Sequence, residues 1–155
     1  MTEYGPGQGP GARALTEDEI LKILATQPFG TLATLKRSGQ PHLATMVINW
    51  NPEERLIRIS SAEGRIKVKH LQNDPRATVQ LQGENVFSYA IAEGKAELSE
   101  VTETPGDAVG RELLAMAGGF DDPADETAFL EEMTKGRRLV IRLKVDRLYG
   151  TALDA

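Results

Sequence analysis

The chain has 155 residues, 40% of them hydrophobic and 26% charged, and a formal net charge of -5 at neutral pH. That length suits one domain with a full core, and the acidic balance argues against nucleic acid as the default partner. With no Cys, disulfides, thiolate metal sites and cysteine nucleophiles are excluded.

Residues 1–14 are rich in Gly and Pro and poor in apolar side chains, which predicts a disordered leader ahead of one domain over 15–155. Leu15 to Thr26 reads as a helix: Thr16 and Glu19 form a capping box, Leu15 and Ile20 a hydrophobic staple, and Pro28 ends it. Phe29–Leu35 is a strand. Lys36-Arg37-Ser38-Gly39-Gln40 is a hairpin turn with Gly39 free to take positive φ. Pro41–Trp50 is the second strand and Asn51-Pro52-Glu53-Glu54 the next turn. Arg55–Ser60 follows with period-2 alternation. Residues 64–73 form a short helix that stops before Pro75.

Arg76–Gln82 and Val86–Leu98 are two further strands, with Gly94 marking a bend or bulge. Between Thr104 and Lys135 the period becomes helical, giving helices near Asp107–Met116 and Asp125–Thr134. Leu139–Val145 alternates apolar and basic residues and closes the domain. Six antiparallel strands with peripheral helices predict a barrel-like α+β fold, which also hides the edges of Val- and Ile-rich strands. No internal repeat and no second domain are expected.

Several chemistries find no support. There is no Gly-x-Ser-x-Gly elbow, and the two His, His42 and His70, lie far apart in sequence. Gly5, Gly7 and Gly9 follow no strand and are no dinucleotide fingerprint. No apolar run reaches the length of a membrane span and the N-terminus lacks a signal peptide's apolar core, so a cytoplasmic location is expected.

Charge is unevenly spread. Glu97 to Glu132 is strongly acidic, while Arg65 to Arg76 carries Arg65, Lys67, Lys69 and Arg76 against Asp74 alone. Ser60-Ser61-Ala62-Glu63-Gly64-Arg65-Ile66-Lys67 joins a strand end to a helix start, bringing hydroxyls, backbone N–H groups and cations together. Such a junction suits a phosphate. The same composition also describes a solvated helix start, and the residues alone leave both readings open.

The strand order, the turn SGQPHLATM, the segment SSAEGRIKVKHLQNDPRATV, the later SYAIAEGKAEL and the closing VDRLYG resemble the pyridoxamine 5′-phosphate oxidase-like split-barrel superfamily over about Leu15 to Gly150. Within it the chain is most similar to the flavin/deazaflavin-dependent oxidoreductases of group B. The resemblance implies a six-stranded antiparallel split β-barrel (an FMN-binding split barrel), and a homodimer with two shared cofactor sites. It implies coenzyme F420, with FMN as the alternative. Carried over by position, Thr45, Met46, Val47 and Ile48 line the ring, and Ser60, Ser61, Arg65 and Lys67 hold the phosphate. Ser88, beside Tyr89, reaches the ring, and Tyr149 comes from the second subunit. Lys69, Arg55 or Arg58 would serve a longer anionic tail. Where the true oxidase has an Arg, Thr45 stands here, and the oxidase's basic tail is missing, so the amine oxidation itself is not expected. The activity implied is hydride transfer from reduced deazaflavin to an unsaturated organic acceptor, tetrapyrrole- or quinone-like. The alternatives are an FMN-dependent oxidase or reductase and a non-catalytic binder of cofactor, flavin or haem.

Overall fold

The computed structural model describes residues 4–153. Its elements are β1 (Ala12–Ala14), α1 (Glu17–Thr26), β2 (Phe29–Leu35), β3 (Pro41–Val47), β4 (Asn49–Asn51), β5 (Leu56–Ala62), α2 (Ile66–Asn73), β6 (Arg76–Gln82), β7 (Tyr89–Leu98), α3 (Ala108–Met116), α4 (Pro123–Lys135) and β8 (Arg138–Leu153). The fold is α+β, with one antiparallel sheet in the order β3-β2-β6-β7-β8-β5-β4 and β1 added against the end of β8.

The topology requires the sheet to curl. β3 and β4 stand at opposite ends of the seven-strand path, yet only Ile48 separates them in sequence. The chain can step from one end of the path to the other in a single residue only if the two ends meet. The ring is thus closed by the covalent chain and left without a β3–β5 ladder among the described residues, a seam that splits the barrel. Ile48 is buried at this step and donates its N–H to the Pro28 carbonyl at 2.8 Å. Inside the curl, Ile57, Ile59, Val79, Leu81, Ile141 and Leu143 are completely buried. Helix α1 adds Ile20 and Leu24 to this core, and α2 adds Val68 and Leu71.

Local signals in the sequence hold where they are short-range. Thr16 and Glu19 make the reciprocal capping box, and Gly39 takes φ 86° in the β2–β3 turn. Three expectations are corrected. The sheet has eight strands rather than six, because Pro41–Trp50 breaks at Ile48 and because Ala12–Ala14, inside the expected disordered leader, pairs with Thr151–Leu153. Of the rest of that expectation, residues 4–11 form neither helix nor strand, and residues 1–3 lie outside the described residues, as do 154–155. The last strand runs to Leu153 instead of stopping at Val145. Its apolar alternation fails at Asp146-Arg147 because a register shift falls there: Glu93 faces Arg147 while Gly94 faces Val145, leaving Asp146 as the extra residue. β7 starts at Tyr89 rather than Val86, because residues 83–88 form the turn.

Gly94 makes that bulge possible. A Cβ there would lie 1.9 Å from the Lys144 carbonyl oxygen and 3.2 Å from the Val145 Cα, both backbone atoms with nowhere to move. Gly94→Ala is therefore expected to cost about 3 kcal/mol in equilibrium denaturation. Gly11→Ala, where an added Cβ meets nothing within 4 Å, is the control and should stay within about 0.5 kcal/mol of wild type.

Candidate functional site

The seam brings two of the sequence-predicted segments together. β4 pairs with β5 so that Asn49 faces Arg58, and stepping back through Ile48 carries the end of β3 alongside the Ser60–Ala62 side of β5, where the two strands approach. Thr45 and Val47 thus lie on the seam, Val47 65% exposed. Met46 packs partly against the core and Ile48 is buried within it.

Beyond Ala62 the chain turns at Gly64, φ 84°, and enters α2 through Arg65. Arg65 takes the N-cap place in extended conformation, and no side chain caps the helix. Nor is there an acidic residue in the first turn of α2, so the positive end of the helix is unopposed. The one carboxylate in the turn, Glu63, is held by Arg137 at 2.7 Å.

Lys67 is only 7% exposed and forms no ion pair among the described residues. Burial, the Arg65 charge and the Arg138 charge all push its pKa below the usual lysine value. Arg138 is lowered in turn by burial and by Arg65. Arg138 reaches the cluster through the β5–β8 ladder, in which it faces Ala62. Its Nε and Nη2 donate to the Ser60 Oγ at 3.2 and 2.6 Å. Its backbone is fixed from behind: the Arg138 carbonyl accepts the Thr102 N–H at 2.9 Å, and the buried Thr102 hydroxyl donates to Asp107 at 2.7 Å. Burial would raise Asp107, but hydrogen bonds from the Gly110 N–H, the Thr102 hydroxyl and the Glu103 and Thr104 N–H groups outweigh it and hold it at about 2.

Three cations thus converge without a carboxylate beside Ser60. A buried cation without a counter-ion is costly, and an anion would relieve that cost. Ser61 lies on the other, core-facing side of β5, opposite Leu139, where its Oγ is buried without a hydrogen-bond partner. Of the four residues the sequence groups here, Ser60, Arg65 and Lys67 lie at the cluster and Ser61 faces away from it. Arg138 was missed. Nothing in the sequence shows that β8 pairs with β5, and an Arg preceding an alternating strand reads as a surface residue.

Ser88 and Tyr149 are not brought to this cluster within one chain. Tyr149 faces Ile91 and Ser88 precedes Tyr89, which faces Thr151. Along β8 that is roughly 35 Å of strand from Arg138 at about 3.3 Å per residue. Ser88 is buried against Gly83, where its carbonyl accepts the Gly83 N–H at 2.6 Å. Tyr149 is partly exposed beneath the Arg147 guanidinium, 4.8 Å from its ring centroid. Nor do Arg55 and Arg58 offer spare charge: Arg55 pairs with Glu17 at 3.4 Å, and Arg58 with Glu54 and Glu112, each at 3.3 Å. Lys69 forms no ion pair among the described residues. No group of three or more His, Cys, Asp or Glu side chains among the described residues could hold a metal ion. No helix among them is long and apolar enough to cross a membrane.

Residues 16–152 match the family model described as pyridoxamine 5′-phosphate oxidase. The chain belongs to that family. Similar solved structures include the conserved hypothetical protein Rv2991 from Mycobacterium tuberculosis, 26% identical over 86% of this chain and 82% of that one, with a TM-score of 0.64. An F420 reductase is 21% identical over 82% of this chain and 93% of its own, with a TM-score of 0.56. A pyridoxamine 5′-phosphate oxidase-related, FMN-binding protein from Nostoc punctiforme is 15% identical over 85% and 81%, with a TM-score of 0.61. The last two likenesses concern the fold. The shared fold accounts for the seam.

The cationic cluster makes a stability prediction. Because the Lys67 pKa is lowered on folding, the unfolded chain holds a proton that the folded chain sheds between the lowered value and the ordinary one. Stability rises with pH through that window, and below it the buried charge is a fixed cost. Lys67→Met is expected to stabilise the protein at pH 7 by about 1 kcal/mol in denaturant titrations. The same substitution should abolish the extra stability that inorganic phosphate gives the wild type. A destabilised Lys67→Met protein that still responds to phosphate would refute the anion site.

Proposed function

We propose that this protein is a dimeric F420-dependent reductase that passes a hydride from reduced deazaflavin to an unsaturated organic acceptor, tetrapyrrole- or quinone-like, in the cytoplasm. The observation that carries the reading is the group of Arg65, Lys67 and Arg138 without a carboxylate beside the Ser60 hydroxyl. These residues fit a cofactor phosphate. Arg65 and Arg138 offer N–H donors, Lys67 a buried point charge, and Ser60 a hydroxyl.

When bound, the cofactor supplies the hydride chemistry. The protein's own part is placement. The exposed edge of β3 at Thr45 and Val47 flanks the anion cluster along the seam and would receive the flat ring. Phe29, Leu43 and Val47 are 59%, 64% and 65% exposed on the paired β2–β3 edge. Covering that apolar face with a second copy would exclude water from the ring. A second copy is also what would bring Ser88 and Tyr149 to a site that one chain leaves without them. No residue is assigned as proton donor.

The deazaflavin assignment is supported by the sequence resemblance to the group B oxidoreductases and by the F420 reductase among similar structures. FMN is the second reading, favoured by the FMN-binding relative and by an anion cluster that would accept either phosphate. Fluorescence titration of the purified protein separates them: F420 should bind at least about tenfold more tightly than FMN, and the reverse order would replace this reading with a flavin-dependent one. Lys67→Ala should weaken F420 binding by about 1–3 kcal/mol. Tight binding with no turnover of any acceptor would indicate a cofactor carrier.

Sedimentation tests the assembly. The wild type should run as a dimer, and Val47→Lys should dissociate it and lower cofactor affinity at least about tenfold. A stable wild-type monomer that binds cofactor would overturn the shared site.

A further inference from the structure

Along α2 lies a groove of whose residues the cofactor resemblance uses Lys69 alone. Ile66, Lys69, His70 and Asn73 recur at i, i+3, i+4 and i+7 and form one stripe along the helix. This stripe faces Leu35, Lys36 and Arg37 of the β2–β3 turn across a groove of about 810 Å³, a size that holds a small organic molecule. The turn is ordered: the Lys36 N–H donates to the Gln40 carbonyl at 3.0 Å, and the Gly39 N–H to the Lys36 carbonyl at 2.8 Å.

The lining of the groove is one-sided in charge. Lys36, Arg37 and Lys69 contribute three cations, no carboxylate lines it, and none of the three forms an ion pair among the described residues. The protein as a whole is acidic, so this is a local reversal that concentrates an anion. Between the cations lie Leu35 and Ile66, and Ile66 is 51% exposed. Solvated lysines on a helix need no bare isoleucine between them.

The wall beneath is polar and incompletely satisfied. His70 Nδ1 hydrogen-bonds the Thr34 hydroxyl at 2.9 Å, and the His70 ring meets His42 edge to face at 5.2 Å. The His42 Nδ1 is buried without a hydrogen-bond partner. Burial, His42 and Lys36 lower the His70 pKa, which favours a neutral imidazole that can donate or accept beside a ligand.

We propose that the groove between the β2–β3 turn and α2 is a second small-molecule site, which takes a carboxylate carried on a flat apolar body. The apolar body lies on Leu35 and Ile66, and the carboxylate meets Lys36, Arg37 and Lys69. A compact phosphate suits the Arg65–Lys67–Arg138 cluster better, since there the donors converge on one point. In the groove the cations stand on opposite walls of an apolar floor. The proposal does not rest on the identity of the cofactor.

Of the chain's two His, His70 lines this groove and His42 packs against His70, so their ring signals in NMR report on it without interference. 1-Naphthoate should shift both sets of signals saturably, with a Kd below about 1 mM. Its neutral analogue 1-naphthalenemethanol should bind at least about tenfold more weakly, and the Lys36→Ala/Lys69→Ala double variant should lose at least about tenfold in naphthoate affinity. Saturating inorganic phosphate, at matched ionic strength, should leave the naphthoate Kd unchanged. Three results would overturn the site: no saturable shift up to about 10 mM naphthoate, equal binding of acid and alcohol, or displacement by phosphate. Failure of F420 to bind would leave all of these readouts standing, so the two proposals fail separately.

Discussion

The single residue between β3 and β4 constrains the whole molecule. A sheet of seven strands in a row has two edges, and an open sheet would place them far apart. Here the chain leaves one edge strand and enters the other through Ile48 alone, so the edges must lie side by side. Closure by the chain fixes the curvature, gathers the apolar side chains of β5, β6 and β8 inside, and leaves a seam that carries backbone groups without a ladder. The bulge at Gly94 serves the same end from the far side of the ring, since a bulge increases local twist and bends the strand pair. The Gly94 position admits no Cβ because the backbone of Lys144 and Val145 lies against it.

The seam determines where chemistry can sit. Elsewhere on the sheet, backbone polar groups are consumed by neighbouring strands. At the seam, β5 ends beside the exposed edge of β3 and runs directly into the N-terminus of α2. Charge is distributed accordingly. Arg55, Arg58 and Arg142, on the other parts of the same strands, are neutralised by Glu17, Glu54, Glu97 and Glu112. Beside Ser60 the pattern changes: Glu63 is drawn off by Arg137, and the cations that remain repel one another. A chain with more acidic than basic residues could easily have supplied a partner. Leaving Lys67 buried without one lowers stability and is the expected signature of a site shaped for an external anion.

What was legible in the sequence was local. The capping box of α1, the turn at Gly39 and the strand-to-helix basic segment are all set by residues within a few positions of each other. What was not legible depended on ladders between distant segments. Arg138 joins the anion cluster only because β8 pairs with β5, and the strand Ala12–Ala14 exists only because the end of β8 offers it an edge. A Gly- and Pro-rich leader has no periodicity from which such a pairing could be inferred. The premature end expected for β8 has the same origin. Asp146-Arg147 breaks the period-2 pattern, and only the partner strand shows that the break is a bulge in a continuing strand.

The length of β8 then explains why one chain holds the residues of the proposed cofactor site apart. Its first residues meet β5 at the anion cluster, and its last meet β1 and β7. Side chains at the two ends of a strand that long cannot touch the same small molecule, so residues that resemblance assigns to one site, Arg65 and Lys67 against Ser88 and Tyr149, are held apart by covalent geometry. The β2–β3 edge, meanwhile, leaves Phe29, Leu43 and Val47 uncovered, and burying that surface is favourable in proportion to its apolar area. An arrangement in which the far end of one β8 is brought to the seam of another chain would satisfy both constraints together.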